Sequence, residues 1–515
     1  DRFRICDCHR WQAGGGKIRC SGIPGRKSET RSNLVGILII RRPGVAIPDI
    51  SVHRHLYGDG YRHHPGCHFG QPQPAQDDPV GRRADFRSGR GIGFLFLLRA
   101  GSAAQADYFA PYLQAAHGLC SSAHVRRSDA PVPAACQSLS TLLTNTSQAV
   151  SFYGSRLTHY GDGASKMTAL LEEIEKARDH IHILYYIFCD DETGARLQQA
   201  LIRKAKEGVK VRVLYDDVGC NGVKKEFFQQ MRDAGAEVHA LLHVRFPMLT
   251  DRVNYRNHRK IVVIDGRVGF FGGMNIADRY VKGPGWGVWR DSHFKVEGKG
   301  VYGLQSAFLV DWSTVERVHL DTSKFFPEAD NYTSSTMQFA TSGPLGPWRT
   351  LLQGIMTAIA GARRSICIQT PYFLPTEGLN SLLQTAALGG IDVQLMLPER
   401  SDSRIIDKAV HSFIDDMLRA GVKVYFYTKG FLHAKMLIVD DLLTVVGSAN
   451  MDFRSFEHNF EINAFVYGQD FNTAMRRVFD EDLRSCRRLI PSEWLRRPLP
   501  QRLSESFMRL FSPLL

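Results

Sequence analysis

The sequence predicts an α/β protein made of two tandem α/β/α domains that are related by a pseudo-two-fold axis. Two observations support this prediction. Helical and strand-like segments alternate from about residue 164 onwards, and the same order of segments occurs twice. Active sites commonly lie where such copies meet, so we expect the active site at the interface between the two domains.

Each copy opens with a helix and continues with a buried strand. Ser165–Asp179 has apolar residues at helical spacing, and His180–Phe188 is an apolar run rich in strand-forming residues. Trp348–Arg364 and Ile366–Phe373 repeat this order in the second copy. Two helix-glycine-strand units then follow in each copy. Their glycines are Gly208 and Gly235 in the first copy, and Gly390 and Gly421 in the second.

The first 145 residues differ from the rest and have no sustained apolar periodicity. We therefore divide the chain into an atypical segment at 1–145, a first domain at 146–331 and a second domain at 332–515. The first segment is a disordered basic tail, a small metal module or the product of a wrong reading frame. Its metal-binding residue types are Cys6, Cys8, His9, Cys20, His63, His64, Cys67 and His68. They lack paired zinc-site spacings, and the Arg/Gly/Pro-rich composition together with a start at Asp1 favours the reading-frame explanation.

The charge distribution argues against nucleic acid as a partner. The chain has 65 − 52 = +13, but residues 1–150 account for 19 − 10 = +9, which leaves +4 for residues 151–515. A near-neutral body lacks the electrostatic footprint of a DNA- or RNA-binding protein. No run of about 18 apolar residues occurs either, so the sequence predicts no transmembrane helix.

One motif occurs once in each copy and follows the pattern H-x-K-x4-D-x6-G-[GS]-x-N. Its fixed residues are His258, Lys260, Asp265, Gly272 and Asn275 in the first copy, and His433, Lys435, Asp440, Gly447 and Asn450 in the second. Five fixed positions match by chance at roughly 10⁻⁷ per starting position, so two matches are a strong signal.

The spacing of the motif predicts what each residue does. On a strand, His258 and Lys260 point the same way, and so do His433 and Lys435. The aspartate has the opposite parity, so we expect it to cap the end of the strand in a supporting role. The glycine lets the backbone approach a ligand closely, and the asparagine adds an amide donor.

Two imidazoles, two ammonium groups and two amides that converge on one point suit a phosphodiester anion. One histidine can attack phosphorus while the other protonates the departing oxygen, and the lysines stabilise the charge on the remaining oxygens. Carboxylates must orient the imidazoles, and Glu461 and Asp291 are placed for this. A metal site is the rival hypothesis, which the lysine beside each histidine disfavours because an ammonium repels a cation.

Several further residues are candidates for the walls of the site. We expect aromatic residues at the ends of equivalent strands to line an apolar pocket, namely Tyr185, Tyr186, Tyr372 and Phe373. Arg279 and Arg454 follow each asparagine by four residues, and we favour a solvated role over phosphate contact for both. Trp286 and Trp289 are either loop anchors or contacts for an acyl chain.

The two H-x-K-x4-D motifs resemble those of the phospholipase D superfamily, and the surrounding sequence is similar to bacterial cardiolipin synthases over about residues 150–515. The similar segments are Tyr185–Gly194, Val211–Gly219, Asn254–Gly266, Gln369–Pro375, His433–Asn463 and Phe511–Leu515. The resemblance implies a bilobal fold with one motif in each half. It also implies the joining of two phosphatidylglycerol molecules into cardiolipin with release of glycerol, without a metal or nucleotide cofactor.

The resemblance further implies a phosphatidyl-histidine intermediate, and we prefer His258 as its nucleophile. The catalytic set is then His258, Lys260, Asp265, His433, Lys435 and Asp440, with Asn275 and Asn450 binding substrate and with Asp291 and Glu461 in support. A hydrolytic phospholipase D or, less favoured, a nuclease of the superfamily would use the same residues.

The resemblance also implies phospholipid partners and the cytoplasmic face of the bacterial inner membrane. Members of the family usually begin with two transmembrane helices, and this chain has the atypical segment there instead. The Arg-rich segment Trp494–Leu515 places Leu503, Phe507, Leu510 and Phe511 along one helical face. That segment is either a membrane contact or an ordinary docked terminal helix.

Overall fold

The computed structural model describes residues 130–243, 254–316, 323–332 and 335–514. The three explanations for the N-terminal segment concern residues that lie outside these ranges, apart from 130–145. No helix in the described ranges is both long and apolar enough to cross a bilayer.

The first copy alternates helices and strands as predicted. It comprises α1 (Gln137–Ser147), β1 (Ser151–Tyr160), α2 (Gly163–Lys176), β2 (His180–Tyr185), α3 (Glu192–Lys206), β3 (Lys210–Asp216), α4 (Lys225–Asp233), β4 (Glu237–Leu241), β5 (Arg256–Asn257), β6 (Ile261–Ile264), β7 (Val268–Gly272), α5 (Asp278–Lys282), β8 (Val288–Arg290), β9 (His293–Glu297) and α6 (Val301–Ser313).

The second copy repeats the order and adds a C-terminal segment. It comprises β10 (Ser335–Ser342), α7 (Thr350–Ala360), β11 (Ser365–Gln369), β12 (Phe373–Leu374), α8 (Glu377–Leu388), β13 (Asp392–Pro398), α9 (Arg404–Arg419), β14 (Lys423–Tyr427), β15 (Gly430–Leu432), β16 (Met436–Val439), β17 (Leu443–Gly447), β18 (Met451–Asp452), α10 (Phe453–Glu457), β19 (Asn459–Tyr467), α11 (Gln469–Leu483), β20 (Cys486–Arg488), α12 (Pro491–Trp494) and α13 (Leu499–Arg509).

One continuous sheet joins the two copies, and its strand order shows the predicted symmetry. From one edge to the middle the order is β4-β3-β2-β6-β7-β9-β1, and from the other edge it is β14-β13-β11-β16-β17-β19-β10, with β20 outside β14. The antiparallel pair β1–β10 joins the halves, so the pseudo-two-fold axis passes between these two strands. The predicted α/β fold with two related halves is confirmed.

Both faces of the sheet are covered, because its inner strands are apolar on both sides. In β6, Val262 and Ile264 face a core beneath the helices of the first copy, whereas Ile261 and Val263 face a core that both copies share. The second copy has an equivalent core of its own. The four predicted helix-strand glycines all have φ between 90° and 96°, a backbone conformation that glycine adopts without strain.

Helix α1 requires a correction of the predicted boundary at residue 145. Its residues 137–145 fall in the segment that we separated from the first domain, but the helix is part of the folded body. Leu139 and Leu143 are buried and pack into the core of the second copy. The Nε2 amide of Gln338 on β10 donates to the carbonyl of Ala149, just beyond the helix, at 3.1 Å. The folded body therefore begins before residue 146.

Candidate active site

Two short strands place each motif histidine against the opposite copy. Strand β5 pairs in parallel with the start of β19, and the N–H of His258 donates to the carbonyl of Phe460 at 2.9 Å. Strand β15 pairs in parallel with β8, and the N–H of His433 donates to the carbonyl of Arg290 at 2.6 Å. The histidines and lysines were predicted to lie on a strand, but β6 and β16 begin one residue after each lysine. The motif thus bridges two strands that belong to different pairings.

The carboxylates also cross between the copies. His258 Nδ1 lies 2.9 and 3.1 Å from the two carboxylate oxygens of Glu461, which belongs to the second copy. His433 Nδ1 lies 2.6 Å from Asp291 Oδ2, which belongs to the first. Both carboxylates are fully buried. Each accepts the Nδ1 proton, so the lone pair of each neutral imidazole lies on Nε2.

The copies support their carboxylates differently at the position that follows the motif glycine. In the second copy, Ser448 Oγ donates to Glu461 Oε2 at 2.5 Å. The first copy has Gly273 there, and a Cβ at Gly273 would lie 2.2 Å from Asp291 Oδ1. The glycine therefore leaves room for the shorter acid, since no side chain fits between it and the carboxylate.

Each lysine is held by the histidine two residues before it. Lys260 Nζ donates to the His258 carbonyl at 2.6 Å, and Lys435 Nζ donates to the His433 carbonyl. Lys435 Nζ also lies 2.8 Å from His433 Nδ1. Because that nitrogen carries the proton that Asp291 accepts, it has no lone pair for the lysine, and we assign the carbonyl as the acceptor.

Burial and the neighbouring charges shift the pKa of every group in this cluster. Burial lowers the pKa of His258, and burial with the Lys435 ammonium lowers the pKa of His433 to about 3. Burial also lowers the pKa of Lys260 to about 7 and that of Lys435 to about 8. Burial alone would raise the pKa of Glu461, but His258 and Lys260 lower it to about 2. Both imidazoles are therefore neutral at pH 7.

A cavity of about 220 Å³ opens over the two imidazoles. Its wall is formed by Tyr186, Ile187, Arg256, His258, Asn275, Arg279, Tyr280, Trp289, Tyr372, Leu374, Asp402, Ile406, His433, Asn450, Asp452, Arg454 and Asn459. Both predicted asparagines belong to this wall. Asn450 Oδ1 is buried there and has no hydrogen-bond partner among the described residues. The cavity therefore offers neutral imidazoles, amides and arginines to one ligand, together with the carboxylates of Asp402 and Asp452, whereas Lys260 and Lys435 lie behind the histidines and are not wall residues.

The predictions for the pocket wall hold for some residues and not for others. Tyr186 and Tyr372 line the cavity, but Tyr185 and Phe373 are fully buried in the apolar cores of their own copies. Trp289 is a wall residue, and its ring lies 5.2 Å from that of His433. Arg279 and Arg454 both line the cavity, but Arg279 is exposed and Arg454 is half-buried, so the solvated role that we favoured for them stays a prediction.

The motif aspartates lie beyond the strand ends and away from the imidazoles, which agrees with the supporting role that their parity predicts and corrects their place in the catalytic set. Asp265 accepts hydrogen bonds from the N–H groups of Arg178, Asp179 and His180 at 2.8 to 2.9 Å. Asp440 does the same for 363–365 in the second copy. They stand at the far end of β6 and β16, about 16 Å along the chain from the lysines. Both close the turn that precedes a core strand.

We expect Asp265→Ala to destabilise the protein without stopping its chemistry. The substitution leaves three backbone N–H groups without their carboxylate and places alanine at a φ of 52°, so the free energy of unfolding should fall by about 2 to 3 kcal/mol. Thermal denaturation and initial rates below the unfolding transition check this. A kcat below a third of the wild-type value in folded protein would return Asp265 to the catalytic set.

Lys166 is a charged neighbour that the sequence analysis missed. It lies on α2, fully buried, with Nζ 4.8 Å from the centre of the Tyr185 ring. Burial lowers its pKa to about 7, and the charge of Asp291 acts in the opposite direction. Its position four residues before Leu170, on the apolar face of the helix, was the available signal.

Comparison with known proteins places these motifs in a family. A family model described as a cardiolipin synthase, phospholipase D-like domain matches residues 170–284 and 355–483. The chain is 44% identical over 357 residues to the major cardiolipin synthase ClsA of Bacillus subtilis strain 168, which covers 69% of this chain and 74% of that protein. The chain is also 40% identical over 357 residues to the cardiolipin synthase of Listeria innocua, and this match covers 69% of this chain and 74% of that protein.

A solved structure shares the fold. The crystal structure of phosphatidylserine synthase from Haemophilus influenzae Rd KW20 matches with a TM-score of 0.58 and 17% identity, over 74% of this chain and 99% of that one. With the crossed His–carboxylate pairs and with 44% identity to a cardiolipin synthase, the chain belongs to the cardiolipin synthase family of phospholipase D-like phosphatidyltransferases.

Proposed function

We propose that the protein joins two phosphatidylglycerol molecules into cardiolipin and releases glycerol, with His258 as nucleophile and His433 as proton donor. The observation that carries the proposal is the pair of crossed imidazole–carboxylate contacts on one cavity, since neither copy holds both partners of a pair. A single lipid phosphate in the cavity meets both imidazoles. The substrate comes from a membrane, and we propose the cytoplasmic face of the bacterial inner membrane.

The first half of the reaction transfers a phosphatidyl group to the enzyme. The His258 Nε2 lone pair attacks phosphorus, the bond from phosphorus to the headgroup glycerol oxygen breaks, and His433 gives that oxygen a proton. The negative charge of a bound phosphodiester raises the pKa of His433, which allows the ring to carry that proton. Lys260 and Lys435 stabilise the charge on the other phosphoryl oxygens.

The second half reverses these steps with a different alcohol. The headgroup hydroxyl of a second phosphatidylglycerol loses its proton to His433 and attacks phosphorus, and the bond from phosphorus to His258 breaks. Cardiolipin leaves, and both histidines return to their starting state. Asn275 and Asn450 contribute amide groups to the cavity wall and orient the phosphate.

We expect the purified protein to make cardiolipin and glycerol from phosphatidylglycerol membranes in preference to phosphatidic acid. Water at about 55 M competes with the acceptor alcohol, and an aromatic wall formed by the buried Tyr280 and Trp289 and the half-buried Tyr372 keeps it from the intermediate. Mass spectrometry of the lipid products decides the outcome. Phosphatidic acid as the main product would show a phospholipase D hydrolase instead.

We also expect activity to survive exhaustive treatment with EDTA. The positive charge at phosphorus comes from Lys260 and Lys435, and the ammonium group of each is held beside a histidine that would otherwise be a metal ligand. Initial rates before and after chelation test this, with vesicle integrity checked separately. Loss of activity that one divalent metal restores would refute the metal-free mechanism.

A further inference from the structure

The C-terminal helix α13 docks on the body through charged residues and Met508 and turns its other large apolar residues to solvent. Arg509 pairs with Asp416 of α9 at 2.8 Å, and its guanidinium lies 4.2 Å from the centre of the Phe413 ring. Glu505 is 2% exposed, and its Oε1 lies 3.4 Å from Nδ1 of His411 on α9. A helix held only by the body would bury its apolar side, so this orientation needs another explanation.

The exposed side is a continuous apolar stripe, which we call the C-terminal stripe. It consists of Leu499, Leu503, Phe507, Leu510 and Phe511. Four of these residues recur at the spacing of one helix face, opposite Arg509 and Glu505, and Leu510 is 74% exposed. Of the thirteen large apolar side chains that are exposed in the described ranges, these five form one patch.

The net basic charge of the folded body is concentrated in the C-terminal segment that carries this stripe. Residues 484–515 carry seven arginines and two glutamates, 7 − 2 = +5, and residues 151–483 carry 39 − 40 = −1. Within the described ranges, Arg488 and Arg496 are exposed and have no ion pair. An apolar helix face within an arginine-rich segment has the composition of a helix that lies in the interface of an anionic bilayer.

The segment that carries the stripe contacts elements that also contribute to the substrate cavity. Helix α13 packs along α9, whose first turn carries the wall residue Ile406. The turn Ser512–Leu514 then contacts α10, which carries the wall residue Arg454. The C-terminal segment therefore touches two elements that build the wall of the cavity.

We propose that the C-terminal stripe inserts into the headgroup region of an anionic bilayer and holds the cavity against its lipid substrate. Phosphatidylglycerol is an anionic lipid and the proposed substrate, so the choice of this lipid rests on the proposed function. A second copy of the chain fits the patch less well, because a two-fold contact would set one +5 segment against another. The insertion is measured without turnover, so the proposed membrane insertion and the proposed synthase activity can each fail independently of the other.

The deciding experiment places a reporter on the stripe of the full chain. The Leu510→Trp variant is mixed with vesicles of phosphatidylglycerol and phosphatidylcholine that carry bromine on the acyl chains, and the wild-type emission is subtracted. We expect the added tryptophan to shift to shorter wavelength and to lose at least half of its intensity. An unchanged emission from protein that is bound to vesicles would overturn the proposal, because it would show that other residues hold the chain on the lipid surface.

A second variant tests the energetic contribution of the stripe. Leu503→Ser, Phe507→Ser and Leu510→Ser together should lower the vesicle partition coefficient at least tenfold. The rate on phosphatidylglycerol dispersed in detergent should stay within about twofold of wild type, which also reports correct folding. The matched control, Tyr153→Ser with Leu388→Ser, removes exposed apolar groups elsewhere and should bind normally.

Three results would contradict the proposal. First, the triple variant could bind vesicles as tightly as wild type. Second, the triple variant could lose both vesicle binding and its activity on detergent-dispersed lipid, while the Leu510→Trp variant shows no insertion. Sedimentation without lipid could also reveal a dimer that the triple variant abolishes, which would assign the stripe to self-association.

Discussion

Replacing either pocket histidine by alanine should lower kcat by at least about 10⁴-fold on phosphatidylglycerol, and the two variants should differ in the adduct that they form. His258→Ala has no nucleophile and His433→Ala has no proton donor, although each retains the other imidazole with its carboxylate. A phosphatidyl ester of p-nitrophenol needs no proton on its leaving group. His433→Ala should therefore release one equivalent of nitrophenol and gain the mass of one phosphatidyl group.

The same ester should leave His258→Ala unmodified. Intact-protein mass spectrometry after a single turnover reads both variants, and His243→Ala serves as the control because that histidine is exposed and pairs only with Asp217 at 3.0 Å among the described contacts. An adduct on His258→Ala and none on His433→Ala would exchange the two assigned roles. More than a tenth of wild-type activity in either variant would contradict a shared site.

The sequence was sufficient for the parts of this site that depend on local pattern. Apolar periodicity and the repeated helix-glycine-strand units identify the two halves, because each unit is stabilised by neighbours close in the chain. The duplicated histidines, lysines and asparagines share a spacing, and Glu461 and Asp291 were predicted as the carboxylates that orient the imidazoles. These residues do meet in space.

Their pairing across the copies was not visible in the sequence. Which carboxylate meets which imidazole depends on β5 reaching β19 and on β15 reaching β8, and these contacts join residues about 140 to 200 positions apart. Spacing within one copy contains no information on such contacts. The first copy has Gly273 where the second has Ser448, and the reason is visible only in the structure. The side chain of Asp291 is shorter than that of Glu461, and each of these carboxylates lies beside the residue in question.

Helix α1 was missed for a related reason. Its sequence is dominated by Ser, Thr, Gln and Asn, and only two of its leucines, Leu139 and Leu143, are buried one turn apart. The partners that bury them belong to the core of the second copy, about 200 residues later. Propensity alone would not form this helix, so tertiary packing determines it.

Neutralising either lysine should give the second large effect, with a change in pH profile that identifies its cause. Lys260→Met and Lys435→Met each keep the side-chain volume and remove a donor to the phosphoryl oxygens, so kcat/KM should fall about 10² to 10³-fold. Lys210→Met, at an exposed position, is the matched control and should leave kcat/KM unchanged.

The pH dependence follows from the lowered pKa values of Lys260 and Lys435. Burial lowers the pKa of Lys260 to about 7 and that of Lys435 to about 8, so both ammonium groups lose their proton as the pH rises through this range. The ratio kcat/KM reports the free enzyme, so it should fall between about pH 7 and 8. In the complex, the bound phosphodiester favours the ammonium form of the lysines, so kcat should fall only at higher pH. In Lys435→Met the alkaline limb of kcat/KM should move to higher pH, because the Lys435 charge is one of the causes that lower the pKa of Lys260. Rates of wild type and variants from pH 6 to 10 test both shifts, and coincident limbs for kcat and kcat/KM would show that the lysines do not carry the charge that binds the phosphate.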